Sequence, residues 1–129
     1  MQEKIKECFA RVRDNFEYTS DQENYGKRED WRSHLNEIDD EWKDDCDGFA
    51  ITCSLLLLEE GIPADAIRII YCKVEQSAGG GGHLVCGVDT EDDTLILDNR
   101  QKWVYSAAEL DYTWISGMRA SEPSVWRTI

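Results

Sequence analysis

The run from Cys46 to Glu60, CDGFAITCSLLLLEE, limits the fold more than any other segment. Between Phe49 and Leu58 only Thr52 and Ser54 are polar, and the run is closed by Gly61 followed by Pro63, residues that stop helices. Asp44 or Asp45 can cap its start, and Cys46, Ala50, Cys53 and Leu57 share one face at steps of four, three and four. A helix this apolar needs a layer to pack against. The candidates follow at once: AIRIIYCKV (66–74), HLVCGV (83–88), TLILD (94–98) and KWVY (102–105) read as strands, with the polar DTEDD between the second and third as a turn. Helices followed by a run of strands indicate an α+β fold, with the helix packed on an antiparallel sheet of about four strands.

Upstream, residues 1–17 place Ile5, Cys8, Phe9, Val12 and Phe16 on one helical stripe, and the polar stretch 18–30 reads as a loop. Asp30 then caps a short helix carrying Trp31, Leu35 and Ile38, so N-terminal helices precede the core. The tail from Glu109 to Ile129 shows no clean period and many aromatics, which suggests an irregular cover over the core. A chain of 129 residues holds one core and reads as a single domain over 1–129. The GGGG at 79–82 lacks the Gly-Lys-Ser/Thr sequel of a phosphate loop.

Charge removes some functions. Fourteen basic residues stand against 27 acidic ones, a net charge of −13, and nucleic-acid affinity rests largely on cations that neutralise phosphates. Direct nucleic-acid binding is therefore excluded, although an acidic chain can occupy a basic site as a nucleic-acid mimic, and its surface favours a basic partner. No apolar run approaches the ~20 residues of a membrane span. The N-terminus, MQEKIKECFARVRDNF, has no uninterrupted apolar stretch. That leads to the expectation of no secretory signal and a cytoplasmic or phage-encoded protein, periplasmic only if a leader has been removed. The five cysteines (Cys8, Cys46, Cys53, Cys72 and Cys86) are odd in number and irregular in spacing, so most should be free thiols.

The residues that carry chemistry come from two places. A hairpin centred between Thr90 and Glu91 sets His83 directly opposite Asp98, on one face and close enough for the carboxylate to hold the imidazole. A slip of two residues leaves the pair diagonal and within reach; a slip of one separates them. His83 and Cys86 are three apart on a strand and point to opposite faces, so they do not form a zinc site. Cys46 opens the best helix, where free backbone N–H groups and the helix dipole favour a thiolate. Cys53 shares its face but sits mid-helix and is expected to be buried; His34 reads as a surface or packing residue. Thiol, imidazole and carboxylate together form the nucleophile, base and orienter of acyl-transfer chemistry, with the Cys46 backbone N–H as one oxyanion donor.

Asp45-Cys46-Asp47, the series Ala50, Leu57 and Gly61-Ile62-Pro63, then Gly82-His83-Leu84-Val85 and Leu97-Asp98-Asn99 resemble the bacterial transglutaminase-like cysteine peptidase family. Asp30-Trp31 and Tyr112 also match its pattern, so the likeness spans about residues 30–116. That family includes periplasmic proteases that release surface adhesins. The resemblance implies a papain/transglutaminase-like core with Cys46 as nucleophile, His83 as base and Asp98 as orienter. It also implies calcium held by the carboxylates flanking the nucleophile, here Asp45 and Asp47. Gly48 stands where the family has a second carboxylate after the cysteine, and SHLNE replaces its TPxE segment.

The combined reading is a cysteine peptidase acting on a protein or peptide amide through a thioester. It requires no cofactor, with Ca²⁺ as an optional ligand. Its alternatives are transglutaminase or amidase chemistry on the same residues, and a non-catalytic acidic binding protein.

Overall fold

The structure is a computed structural model and describes residues 2–18, 38, 42–44, 46–74 and 82–129. The first helix, α1 (Gln2–Arg13), buries Ile5, Cys8, Phe9 and Val12, the stripe expected from spacing of three and four. Phe16, placed on that stripe by the sequence, instead begins a strand, β1 (Phe16–Tyr18). β1 pairs in parallel with β2 (Trp42–Asp44), which lies within the run of carboxylates from Glu37 to Asp47. Phe16 still reaches the core, its ring meeting Phe49 edge-on at 4.9 Å. Of the helix expected over 30–38 only Ile38 is described, and it is buried. The 19–30 part of the expected loop, together with Trp31, His34, Leu35 and Asp45, lies outside the described residues.

The second helix, α2 (Cys46–Glu59), is buried nearly all round, through Phe49, Ala50, Thr52, Cys53, Leu56 and Leu57. It lies between two layers, α1 on one side and strands β3 (Ile67–Val74) and β4 (Gly82–Asp89) on the other. This explains why it shows no polar face: both sides are contact surfaces. It ends as the sequence indicates. The Gly61 amide donates to the Leu58 carbonyl and the Ile62 amide to that of Leu57, a Schellman closure that requires the left-handed conformation. Gly61 supplies it with φ +95°. None of the helices among the described residues is long and apolar enough to cross a membrane.

The main sheet has six strands in the order β6-β5-β4-β3-β7-β8, all antiparallel. β5 is Thr94–Leu97, as expected to within a residue. The strand expected over 102–105 shrinks to β6, Tyr105–Ser106. The larger correction concerns the tail. It is not irregular: β7 (Tyr112–Arg119) pairs with β3 from Arg68 to Val74, and β8 (Trp126–Thr128) adds the edge. Its alternation is hidden by a bulge, since Tyr71 opposes Ser116 while Cys72 opposes Trp114, leaving Ile115 as the extra residue. Before the bulge Tyr112 and Trp114 pack with Ile70, Cys72, Val85 and Ile96 on one face of the sheet. Beyond it Met118, at the same parity, packs with the helix-side core.

Two faces of the sheet are thus filled. Ile67, Ile69, Leu84, Cys86, Val88, Leu95 and Leu97 meet the helices, and the smaller cluster around Ile70 and Val85 lies beneath. Gly61 gives a clean test of the helix stop. A Cβ there would meet nothing within 4 Å, so any cost to Gly61→Ala is backbone strain alone, about 1 kcal/mol. Urea unfolding should show the midpoint lowered by that cost divided by the slope, with the slope itself unchanged.

Candidate functional site

His83 is the second residue of β4 and is buried, as is Asp98, which follows β5 by one residue. The β4–β5 hairpin turns at Thr90–Asp93, where the Thr90 amide donates to the Asp93 carbonyl at 2.7 Å. Its register pairs Cys86 with Leu97 and Asp89 with Thr94. Continued, that register sets Asp98 against Val85. The hairpin is therefore slipped by two residues from the direct opposition expected, because its turn is centred between Glu91 and Asp92. A two-residue slip preserves the face, so His83 and Asp98 become a diagonal pair that two extended polar side chains can span. They do: His83 Nε2 lies 2.7 Å from Asp98 Oδ1.

Asp98 is completely buried and receives two further hydrogen bonds, from the Arg100 amide to Oδ1 at 2.9 Å and from the Tyr112 hydroxyl to Oδ2 at 2.5 Å. Burial acts to raise its pKa, but the hydrogen bond and charge of His83, then Tyr112 and the Arg100 amide, outweigh this and hold it below the usual carboxylate value. Asp98 is therefore an acceptor, and the hydrogen in the His83–Asp98 bond belongs to Nε2. The other ring nitrogen, Nδ1, is the one free to exchange a proton. Tyr112 is pushed the opposite way, up to about 12, by its burial and then by the Asp98 carboxylate it donates to. It stays a neutral donor. Gly82 matters to this corner because a Cβ there would run into the Tyr71 ring, 2.6 Å from Cε1.

Cys46 is the first residue of α2 and packs at the border of the helix-side core. All five cysteines are free thiols; Cys46 is partly exposed and the other four are buried. Burial pushes Cys8, Cys53, Cys72 and Cys86 upward in pKa, Cys72 to about 12, which makes them poor nucleophiles. The Asp98 charge contributes to that rise both at Cys53, on α2, and at Cys72, on the opposite face of β3. The helix bearing Cys46 packs on β4, whose second residue is His83.

Asp47 is buried, and the Cys46 thiol donates to its Oδ1 at 3.5 Å. Asp45, the other carboxylate expected to hold calcium, lies outside the described residues. Calcium takes six to eight oxygen ligands, and no group of three or more metal-ligating side chains occurs among the described residues. The described part of the cluster does not by itself fit the ion. Tyr112 is the residue whose role the spacing of the strands could not reveal, because the bulge conceals the strand that carries it.

A family model described as bacterial transglutaminase-like cysteine proteinase BTLCP matches residues 1–129. The chain belongs to that family. Solved structures agree on its fold. Legionella pneumophila LapG is 24% identical over 92% of this chain and 65% of that one, with a TM-score of 0.74. The calcium-bound form of the same protein is 22% identical over 98% and 68%, and the EGTA-treated form 21% over 99% and 67%, both with a TM-score of 0.77. This BTLCP chain thus spans about two thirds of the LapG chains it matches. A comparison with curated proteins found no match.

The depressed pKa of Asp98 has a sign. A carboxyl held below its ordinary value of 3.8 adds stability that is fully present above that value and is lost as pH falls through the folded-state value. Asp98→Asn should therefore cost about 2 kcal/mol at pH 7. Urea denaturation at pH 3 should show a smaller difference from wild type.

Proposed function

We propose that this protein is a cysteine peptidase in which Cys46 is the nucleophile, His83 the general base and acid, and Asp98 the orienting carboxylate. What supports the reading most is the buried His83–Asp98 pair at 2.7 Å, found in a chain of a cysteine-proteinase family. The partly exposed thiol at the start of α2 adds to it.

The chemistry follows from the groups present. His83 Nδ1 takes the Cys46 proton and the sulfur attacks the amide carbonyl carbon. The oxyanion forms beside the Cys46 backbone N–H, at the positive end of the helix dipole. Asp98 steadies the imidazolium without accepting its proton. That proton passes to the leaving amine, the C–N bond breaks, and a thioester remains. Water then attacks the thioester, giving its proton to His83, and the thiol is restored as the acid departs. An amine in place of water would make the same residues a transglutaminase. The substrate in this proposal is a protein or peptide, with basic sequence favoured by the charge of −13.

Calcium belongs to the same proposal. Asp45 and Asp47 would supply carboxylate oxygens, which suit a hard cation, and the LapG structures include one described as calcium-bound. Ligation predicts a higher melting temperature in calcium than in EGTA; equal melting dismisses it.

The central test is thiol reactivity. Iodoacetamide near neutral pH should label Cys46 well ahead of the four buried cysteines, as read by peptide mass spectrometry, and His83→Ala should slow that labelling by tenfold or more. Cys46→Ala should abolish cleavage in a peptide-library screen while leaving the melting temperature nearly unchanged. Five thiols reacting alike, in a chain that cleaves nothing, would favour a non-catalytic acidic binding protein instead.

A further inference from the structure

The hydrogen bonding around Asp98 extends one residue beyond the pair. Gln101 Nε2 donates to the Tyr112 hydroxyl oxygen at 3.1 Å, and that hydroxyl donates to Asp98 Oδ2. With an incoming hydrogen bond on its oxygen, the Tyr112 proton is aimed at the carboxylate. Tyr112 stands at the first position of β7, paired with Val74 at the end of β3, so it reaches Asp98 from across the sheet. Its ring also meets the His83 ring edge-to-face, with centroids 6.0 Å apart and planes at 90°, and stacks at a tilt on Trp114 at 5.4 Å. A phenylalanine would keep all of these ring contacts. The hydroxyl is therefore present for the carboxylate and not for packing.

Asp98 accepts at both oxygens, so the nitrogen facing it must carry hydrogen. A neutral imidazole has one N–H, and fixing it on Nε2 leaves the lone pair on Nδ1. Without the Tyr112 hydroxyl, Oδ2 would be a buried oxygen with no described donor. The carboxyl could relieve that by rotating or by taking a proton. Either change loosens its hold on Nε2 and admits the other tautomer. Resting on the assignment of Cys46, His83 and Asp98 above, we propose that Tyr112, aimed by Gln101, is a positioning residue that keeps Asp98 a pure acceptor and so fixes His83 in the tautomer whose Nδ1 is the base.

Two readouts on the full chain test this. One is the iodoacetamide labelling rate of Cys46. The other is the long-range ¹H–¹⁵N NMR pattern of His83, which distinguishes a protonated Nε2 from a protonated Nδ1; His34→Gln removes the second histidine and makes the assignment. Tyr112→Phe should slow labelling by about tenfold, the loss expected for one hydrogen bond to a charged group, and should mix the two tautomers where wild type shows Nε2–H alone. Gln101→Leu should move both readouts the same way by less, and it decides the matter if Tyr112→Phe does not fold. Wild-type rate and nitrogen pattern in both variants overturn the proposal. A slower rate with an unchanged nitrogen pattern also overturns it, because a merely structural loss would do that. His83→Ala separates the layers of inference. If it slows labelling while Tyr112→Phe does not, only the role of Tyr112 fails; if it leaves labelling unchanged, the assignment of the base fails first.

Discussion

A carboxylate with no access to water is the constraint around which one end of this molecule is arranged. An ionised Asp98 is tolerable only because donors arrive from β4, from the turn after β5 and from β7. β4 and β7 are not neighbours, since β3 runs between them. The charge therefore ties together parts of the sheet that backbone pairing alone would leave independent. The far end of β4 has a comparable arrangement with different chemistry. Asp89 there is held by Arg68 at 2.8 Å, Arg119 at 2.9 Å and Thr94 at 2.8 Å. Burial works to raise its pKa, but these hydrogen bonds hold it below the usual value. One strand thus has a carboxylate held by guanidinium groups at its end and a carboxylate held by an imidazole at its start.

Much of this was open to inference from the chain itself, for identifiable reasons. α2 was readable because its apolar run, its glycine stop and its following proline all agree. The pairing of His83 with Asp98 was readable because strand parity survives any slip of two, so an error in the turn centre changed the geometry from direct to diagonal without parting the residues. The rest was hidden where local pattern and tertiary context diverge. Phe16 continues the α1 stripe in sequence, yet the chain turns into β1 there and delivers the same ring to Phe49 by another route. β2 is three residues in an acidic stretch, too short to announce itself. β7 has the right composition for a strand but shifts its phase at Ile115, so no single alternation runs through it.

The fold likeness to LapG persists at 21–24% identity. The features the proposed site needs are few: a helix that begins at Cys46, a hairpin of fixed parity and a strand end that delivers Tyr112. The core fills the space between them with ordinary aliphatic packing, and the four buried thiols belong to that filling.

The extra residue in β7 acts as a switch of face. Ile115 is passed over by β3, and its carbonyl is taken up instead by the Ile129 amide. By absorbing a single position, it lets one strand look inward toward the helices at Met118 and outward toward the carboxylate at Tyr112. Were that residue deleted, the strand would return to strict alternation and could satisfy one layer or the other. The hydrophobic interior and the polar corner would then compete for the same stretch of backbone.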